Sequence, residues 1–157
     1  HIVPKESVWK SRFQVVDHSM IFLLIAGTYT PIMLTVLRGG WGWSIFGVVW
    51  ALAIVGITFK FVGPIRRRIP HWIIVVIYAV MGWIALVAIV PLAHALSNAA
   101  LALLFAGGAA YTLGVIFFAL DTKIERTSKW YGHHEIWHLF VLAGSACHFA
   151  LIYGYIL

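Results

Sequence analysis

HHEIWHLFVLAGSACHFALIYGYIL, residues 133–157, makes two competing statements at once. Its first residues contain His134, Glu135 and His138 in the H-E-x-x-H pattern, in which two histidines on one helical face hold zinc and the glutamate acts as the base of a metalloprotease. Beyond His138 the stretch is apolar almost to the end of the chain, long enough for a helix to cross a bilayer. Choosing between a soluble metalloenzyme and a membrane protein requires the rest of the sequence.

The 157 residues are 62% hydrophobic and 10% charged, more apolar surface than one small water-soluble core can hide. In hydrocarbon only helices and closed barrels satisfy every backbone polar group, and these apolar runs lack the period-two alternation of a barrel strand. The expected fold is therefore all-α, a polytopic transmembrane bundle forming one integral-membrane domain over 1–157. It has five spans, at about 19–37, 43–62, 73–90, 99–120 and 134–156. Gly, Pro and charge gather between them, as in RGGWG after the first and KFVGPIRRRIPHW after the second.

The net charge of +6 is a matter of topology. With five alternating spans, ten of the eleven Lys and Arg residues fall on the side of the N-terminus, and Arg38 alone falls on the other. The positive-inside bias makes the first side cytoplasmic and places the C-terminus outside, as expected for a bacterial inner membrane. Membrane lipids are the expected partners, and nucleic acid is not. Trp9, Trp72, Trp130 and Tyr131 mark one interface, and Trp41, Trp43, Tyr153 and Tyr155 the other. Pro31 should kink the first span, with Thr28 or Thr30 compensating. Gly108, Gly114, Ala143, Gly144 and Ala146 should let helices approach closely. Cys147 is the only cysteine, so no intramolecular disulfide is possible.

Ionisable residues at the ends of membrane helices are where function is sought. His134 and His138 stand one turn apart at the cytoplasmic end of the last span, and Asp17 and His1 lie on the same side. Three neutral imidazoles would leave zinc an open position for an acidified water, with Asp17 as the catalytic carboxylate that orients it or takes its proton. The bland alternatives are that Asp17 N-caps the first span and that the histidines are ordinary interfacial residues. His148, about 15 Å beyond His138, cannot share its metal. An interhelical hydrogen bond or a buried functional role is expected for it. A protease is disfavoured, because no second ligand signature comes after His138 and Glu135 points about 100° away from His134.

Two stretches carry a resemblance. DHSMIFLLIAGTYTP at 17–31 and residues 133–157 resemble the hemolysin III proteins, bacterial members of the progestin and adipoQ receptor family. MGWIALV at 81–87 and GVIFF at 114–118 are similar to its intervening spans, so the likeness covers essentially the whole chain. The resemblance implies a seven-helix protein of which these are the last five helices, with a zinc site near the cytoplasmic face. The family motif is a His ending the second span, an Asp starting the third and an H-x-x-x-H pair starting the seventh. These match His1, Asp17, and His134 with His138. The residue after the first histidine of the pair is not fixed there, which makes Glu135 incidental. The family's Ser four residues before the first zinc histidine, and its acidic residue in the first span, would precede His1.

Zinc-dependent hydrolysis of a lipid amide such as ceramide is the activity that the resemblance implies, although the bacterial branch is named for haemolysis. The competing expectation is a non-catalytic membrane protein whose zinc pins helices while the bundle senses lipid, conducts ions or perturbs membranes.

Overall fold

The computed structural model of the protein describes residues 8–63, 68–120 and 133–157. Six α-helices account for nearly all of them: α1 (Val8–Pro31), α2 (Gly40–Phe61), α3 (His71–Trp83), α4 (Ile89–Ala95), α5 (Asn98–Leu120) and α6 (His133–Tyr155). A π-helical turn, Ile32–Val36, extends α1, and a 3-10 turn, Ile84–Ala88, joins α3 to α4. Among the described residues five helical segments are long and apolar enough to cross a membrane: Arg12–Val36, Gly40–Phe61, Trp72–Ala95, Asn98–Phe117 and Ile136–Tyr155. The all-α transmembrane bundle expected from composition is the fold.

Two boundaries differ from the sequence reading, both for reasons of backbone hydrogen bonding. The first helix begins at Val8, so Asp17 lies well inside α1 and does not cap it. The third span continues past Val90 to Ala95, because Pro91 is the third residue of α4. A first-turn N–H has no intrahelical partner in any case, so proline costs little there. The strain falls on the preceding turn, which tightens to 3-10 geometry. Tyr29 of α1 repairs this break. Its hydroxyl accepts from the Ala85 N–H at 3.0 Å and donates toward the carbonyls of Met81 and Gly82 at 2.9 and 3.1 Å.

Pro31 has a comparable effect at the end of α1, where the helix widens into the π turn. Thr28 donates to the Ile25 carbonyl and Thr30 to that of Ala26. Thr30 also accepts from Trp50 Nε1 at 3.1 Å, which ties the irregular end of α1 to α2. The core between the helices is filled by Phe22, Met33, Val49, Met81, Leu92 and Leu151, all fully buried. Leu139, Leu142 and Phe149 of α6 point outward, as side chains bathed in lipid should. Trp41, Trp43, Trp72, Tyr153 and Tyr155 are exposed near helix ends in the expected belts, while Trp130 and Tyr131 lie outside the described residues and the Trp9 side chain is not described.

The most extensive packing is between α5 and α6. A Cβ on Gly144 would lie 2.7 Å from the Tyr111 ring, one on Gly107 would lie 2.8 Å from His148 Nε2, and one on Gly114 would lie 3.1 Å from Trp137 Cδ1. Three rings thus seat in three glycine notches along one antiparallel seam, with Phe117 stacked on Phe140 at 5.3 Å beside it. Gly108, expected to be a packing residue, has nothing within 4 Å of its Cβ position. The approach uses its neighbour Gly107 instead.

Two substitution sets test this packing by thermal unfolding in detergent. Tyr29→Phe strips the partners from the break in the third span and should lower stability by about 1–2 kcal/mol. Gly144→Ala should cost about 1–3 kcal/mol by forcing the Tyr111 ring aside. Gly108→Ala should be neutral or stabilising by up to about 1 kcal/mol, since a helical glycine gains from a methyl that meets nothing.

Candidate functional site at the α1 and α6 ends

Asp17 and His138 are distant in sequence and adjacent in space. Asp17 Oδ1 lies 3.8 Å from His138 Nε2, with the two side chains 34% and 42% exposed. That separation is too long for a direct hydrogen bond between these two atoms, and short enough for both to address one water or ion. His18 approaches from the other side, its Nδ1 4.0 Å from Asp17 Oδ2. The same nitrogen lies 2.6 Å from the Gln14 carbonyl, which fixes the ring along its own helix. As a donor to that carbonyl, Nδ1 carries the proton of the neutral ring.

Several contacts hold the pair in place. Tyr78 of α3 donates from its hydroxyl to the His18 carbonyl at 2.7 Å and packs its ring on Phe22 at 4.4 Å, which pins this turn of α1. On α6, Trp137 is 2% exposed and seats against Gly114, so the neighbouring His138 is turned toward α1. Asp17, His18 and His138 stand toward the helix ends, where water is within reach, while the cavity walls beyond them are mostly apolar.

Of the residues expected from sequence to form the site, Asp17 and His138 are brought together. His134 lies one helical turn before His138 on α6, and helical geometry puts both on the same face. The side chains of His134 and Glu135 are not among those described, and His1 lies outside the described residues. Among the described residues no group of three His, Cys, Asp or Glu side chains converges on one point. An N-cap role for Asp17 does not survive, because nine residues of helix precede it. His148 stacks on Tyr111 with ring centroids 5.4 Å apart rather than making the expected interhelical hydrogen bond through Nδ1.

Sequence reasoning missed the space beside this pair. A cavity of about 600 Å³ lies between α1, α3, α4, α5 and α6, with walls that are mostly apolar. Ile21, one turn beyond Asp17, and Val141, nearly one turn beyond His138, both line it, as does Trp137. The polar pair therefore stands within about one helical turn of an apolar chamber of the size that small lipophilic ligands occupy. No residue motif could have announced it, since it is bounded by segments from five helices.

Residues 1–149 match the family described as haemolysin-III related. The chain is 46% identical over 145 residues to Hemolysin-3 of Bacillus cereus, covering 92% of this chain and 62% of that protein. It is 42% identical over 146 residues to the Hemolysin-3 homolog of Bacillus subtilis strain 168, covering 93% and 64% respectively. A more distant likeness, 26% over 144 residues, is to the human monocyte to macrophage differentiation factor, with 92% of this chain and 56% of that protein covered. The chain thus spans about three fifths of the bacterial relatives' length. No solved structure matches it.

The geometry predicts that His138 and Asp17 are energetically coupled. In a double-mutant cycle of Asp17→Asn and His138→Gln, the two changes should be non-additive by about 0.5–1 kcal/mol in unfolding free energy. Strict additivity would mean that the 3.8 Å approach has no energetic consequence.

Proposed function

The chain belongs to the haemolysin-III related family of membrane proteins, and from that premise we propose that it is a zinc-dependent hydrolase of lipid amides of the ceramide type. The reaction takes place at the membrane face where α1 begins and α6 begins. The strongly one-sided distribution of Lys and Arg supports assigning that face to the cytoplasm of a bacterial plasma membrane.

The observation that carries the reading is the Asp17–His138 approach beside the apolar cavity. The donor set fits zinc: imidazoles from His1, His134 and His138 would hold it, and a carboxylate stands beside the site. When bound, zinc supplies a Lewis acid that polarises the amide carbonyl and acidifies water. Asp17 would hold the attacking water by accepting its hydrogen bond at Oδ1, take its proton as the water oxygen adds to the amide carbonyl carbon, and return that proton to the nitrogen as the C–N bond breaks, releasing amine and fatty acid. His18, held by the Gln14 carbonyl, flanks Oδ2 of the same carboxylate. The cavity takes the acyl chain, and its apolar walls keep bulk water from the reacting end.

A second reading draws support from the printed name of the Bacillus cereus relative. In it the protein perturbs membranes, and zinc only pins helices together.

Elemental analysis of the purified protein, paired with turnover of a ceramide, separates the two. About one zinc per chain is expected, lost in His138→Ala. Asp17→Asn should keep the metal and lower kcat by about hundredfold or more. Zinc without turnover of any lipid amide, its removal costing only stability, would favour the second reading. A folded protein without zinc would contradict both.

A further inference from the structure

Gly108 stands in the middle of the α5 face that lines the cavity. Leu104, Gly108 and Thr112 recur every four residues along α5, Val115 follows three later, and all four belong to the wall. Residues at that spacing share one side of a helix, so a side chain on Gly108 would project toward the same space as its neighbours. That space holds no protein atoms: a Cβ on Gly108 would meet nothing within 4 Å. The residue is half-buried rather than sealed, so the opening beside it is accessible.

Neither usual reason for a helical glycine applies at this position. Left-handed backbone is one, and among the described residues positive φ occurs at Gly39 and not here. Close helix approach is the other, and α5 achieves it through Gly107 and Gly114, whose Cβ positions are met by His148 and Trp137. Glycine inside a helix is less stable than alanine. What it supplies at position 108 is width in the wall of the chamber.

The antiparallel seam gives the position of Gly108 along the cavity. Gly114 lies against Trp137, the neighbour of His138, and Gly107 lies against His148, farther along α6. Moving down the numbering of α5 therefore leads away from the Asp17–His138 pair. Gly108 is about 10 Å along the helix from Val115, with Leu104 and Phe105 in the wall beyond it. Resting on the reading that the amide carbonyl lies by the Asp17–His138 pair and the acyl chain fills the cavity, we infer that Gly108 is a specificity residue for acyl-chain length. Its missing side chain is the room through which a long chain reaches the part of the cavity lined by Leu104 and Phe105.

The test is competitive retention by the purified protein in detergent. An equimolar mixture of octanamide and stearamide is added, excess lipid is removed, and the retained material is quantified as total acyl chain of each length, so that hydrolysis does not affect the count. Gly108→Leu should lower the ratio of retained stearamide to octanamide by about tenfold relative to the wild type, the scale of overpacking a filled site, with octanamide unchanged. Gly108→Ala should fall between the two. Gly47→Leu is the control: it lies on the exposed side of α2, a helix that contributes nothing to the wall, its Cβ also meets open space, and it should keep the wild-type ratio. Gly108→Leu should also melt no lower than the wild type, since its side chain enters open space. An unchanged ratio in Gly108→Leu, an equal loss of both chains, the same fall in Gly47→Leu, or a clear drop in the melting temperature of Gly108→Leu would each overturn the assignment while leaving the cavity reading intact. Failure of the wild type to retain stearamide would overturn the cavity reading and this inference with it.

Discussion

Everything at the candidate site depends on the register between α5 and α6, and that register is set by rings seated in glycine notches. Tyr111 against Gly144, His148 against Gly107 and Trp137 against Gly114 leave no room for a side-chain carbon at the glycines. Between membrane helices there is no hydrophobic drive to associate, because lipid is as apolar as leucine, so tight van der Waals contact has to supply the attraction. Slipping the seam by one residue would drive a ring into a Cβ. The rotation of α6 is thereby fixed, and with it the direction in which His138 points.

The same contacts shape the cavity. Trp137 locks the start of α6 and lines the cavity, and His148 forms part of both the seam and the wall. On the opposite wall, Tyr78 and Tyr29 use their hydroxyls to hold the backbone of α1 and of the broken third span. The hydroxyls of the wall are thus committed to structure, which keeps the cavity mostly apolar. An apolar chamber beside a carboxylate and an imidazole is a physical arrangement suited to a lipid with a polar head.

Much of the fold was legible because the bilayer imposes a coarse code. Runs of apolar residues interrupted by RGGWG and KFVGPIRRRIPHW mark five spans whatever their detailed packing. The exact ends were not legible. A capping role for Asp17 stands open as an alternative in the sequence, whereas α1 runs on through charged and polar residues from Val8. The third span's end at Ala95 is one of those ends, because the effect of Pro91 depends on its position within a helix turn, and Tyr29 repairs the break from a different helix. For the site, Asp17 and His138 could be assigned to one membrane face by alternation of spans, but not their 3.8 Å approach. Gly107 and Gly108 are indistinguishable in sequence, and only the phase of α5 decides which one meets His148. The cavity was invisible because no single segment contains it.

The proposed zinc centre is tested most directly by X-ray absorption at the zinc edge on the zinc-loaded protein, compared with His138→Gln. The expected spectrum has a first shell dominated by imidazole nitrogens at about 2.0–2.1 Å, with outer-shell scattering from about three rings that falls by one ring in the variant. A shell of oxygen or sulfur ligands, or a spectrum unchanged by the loss of His138, would contradict it.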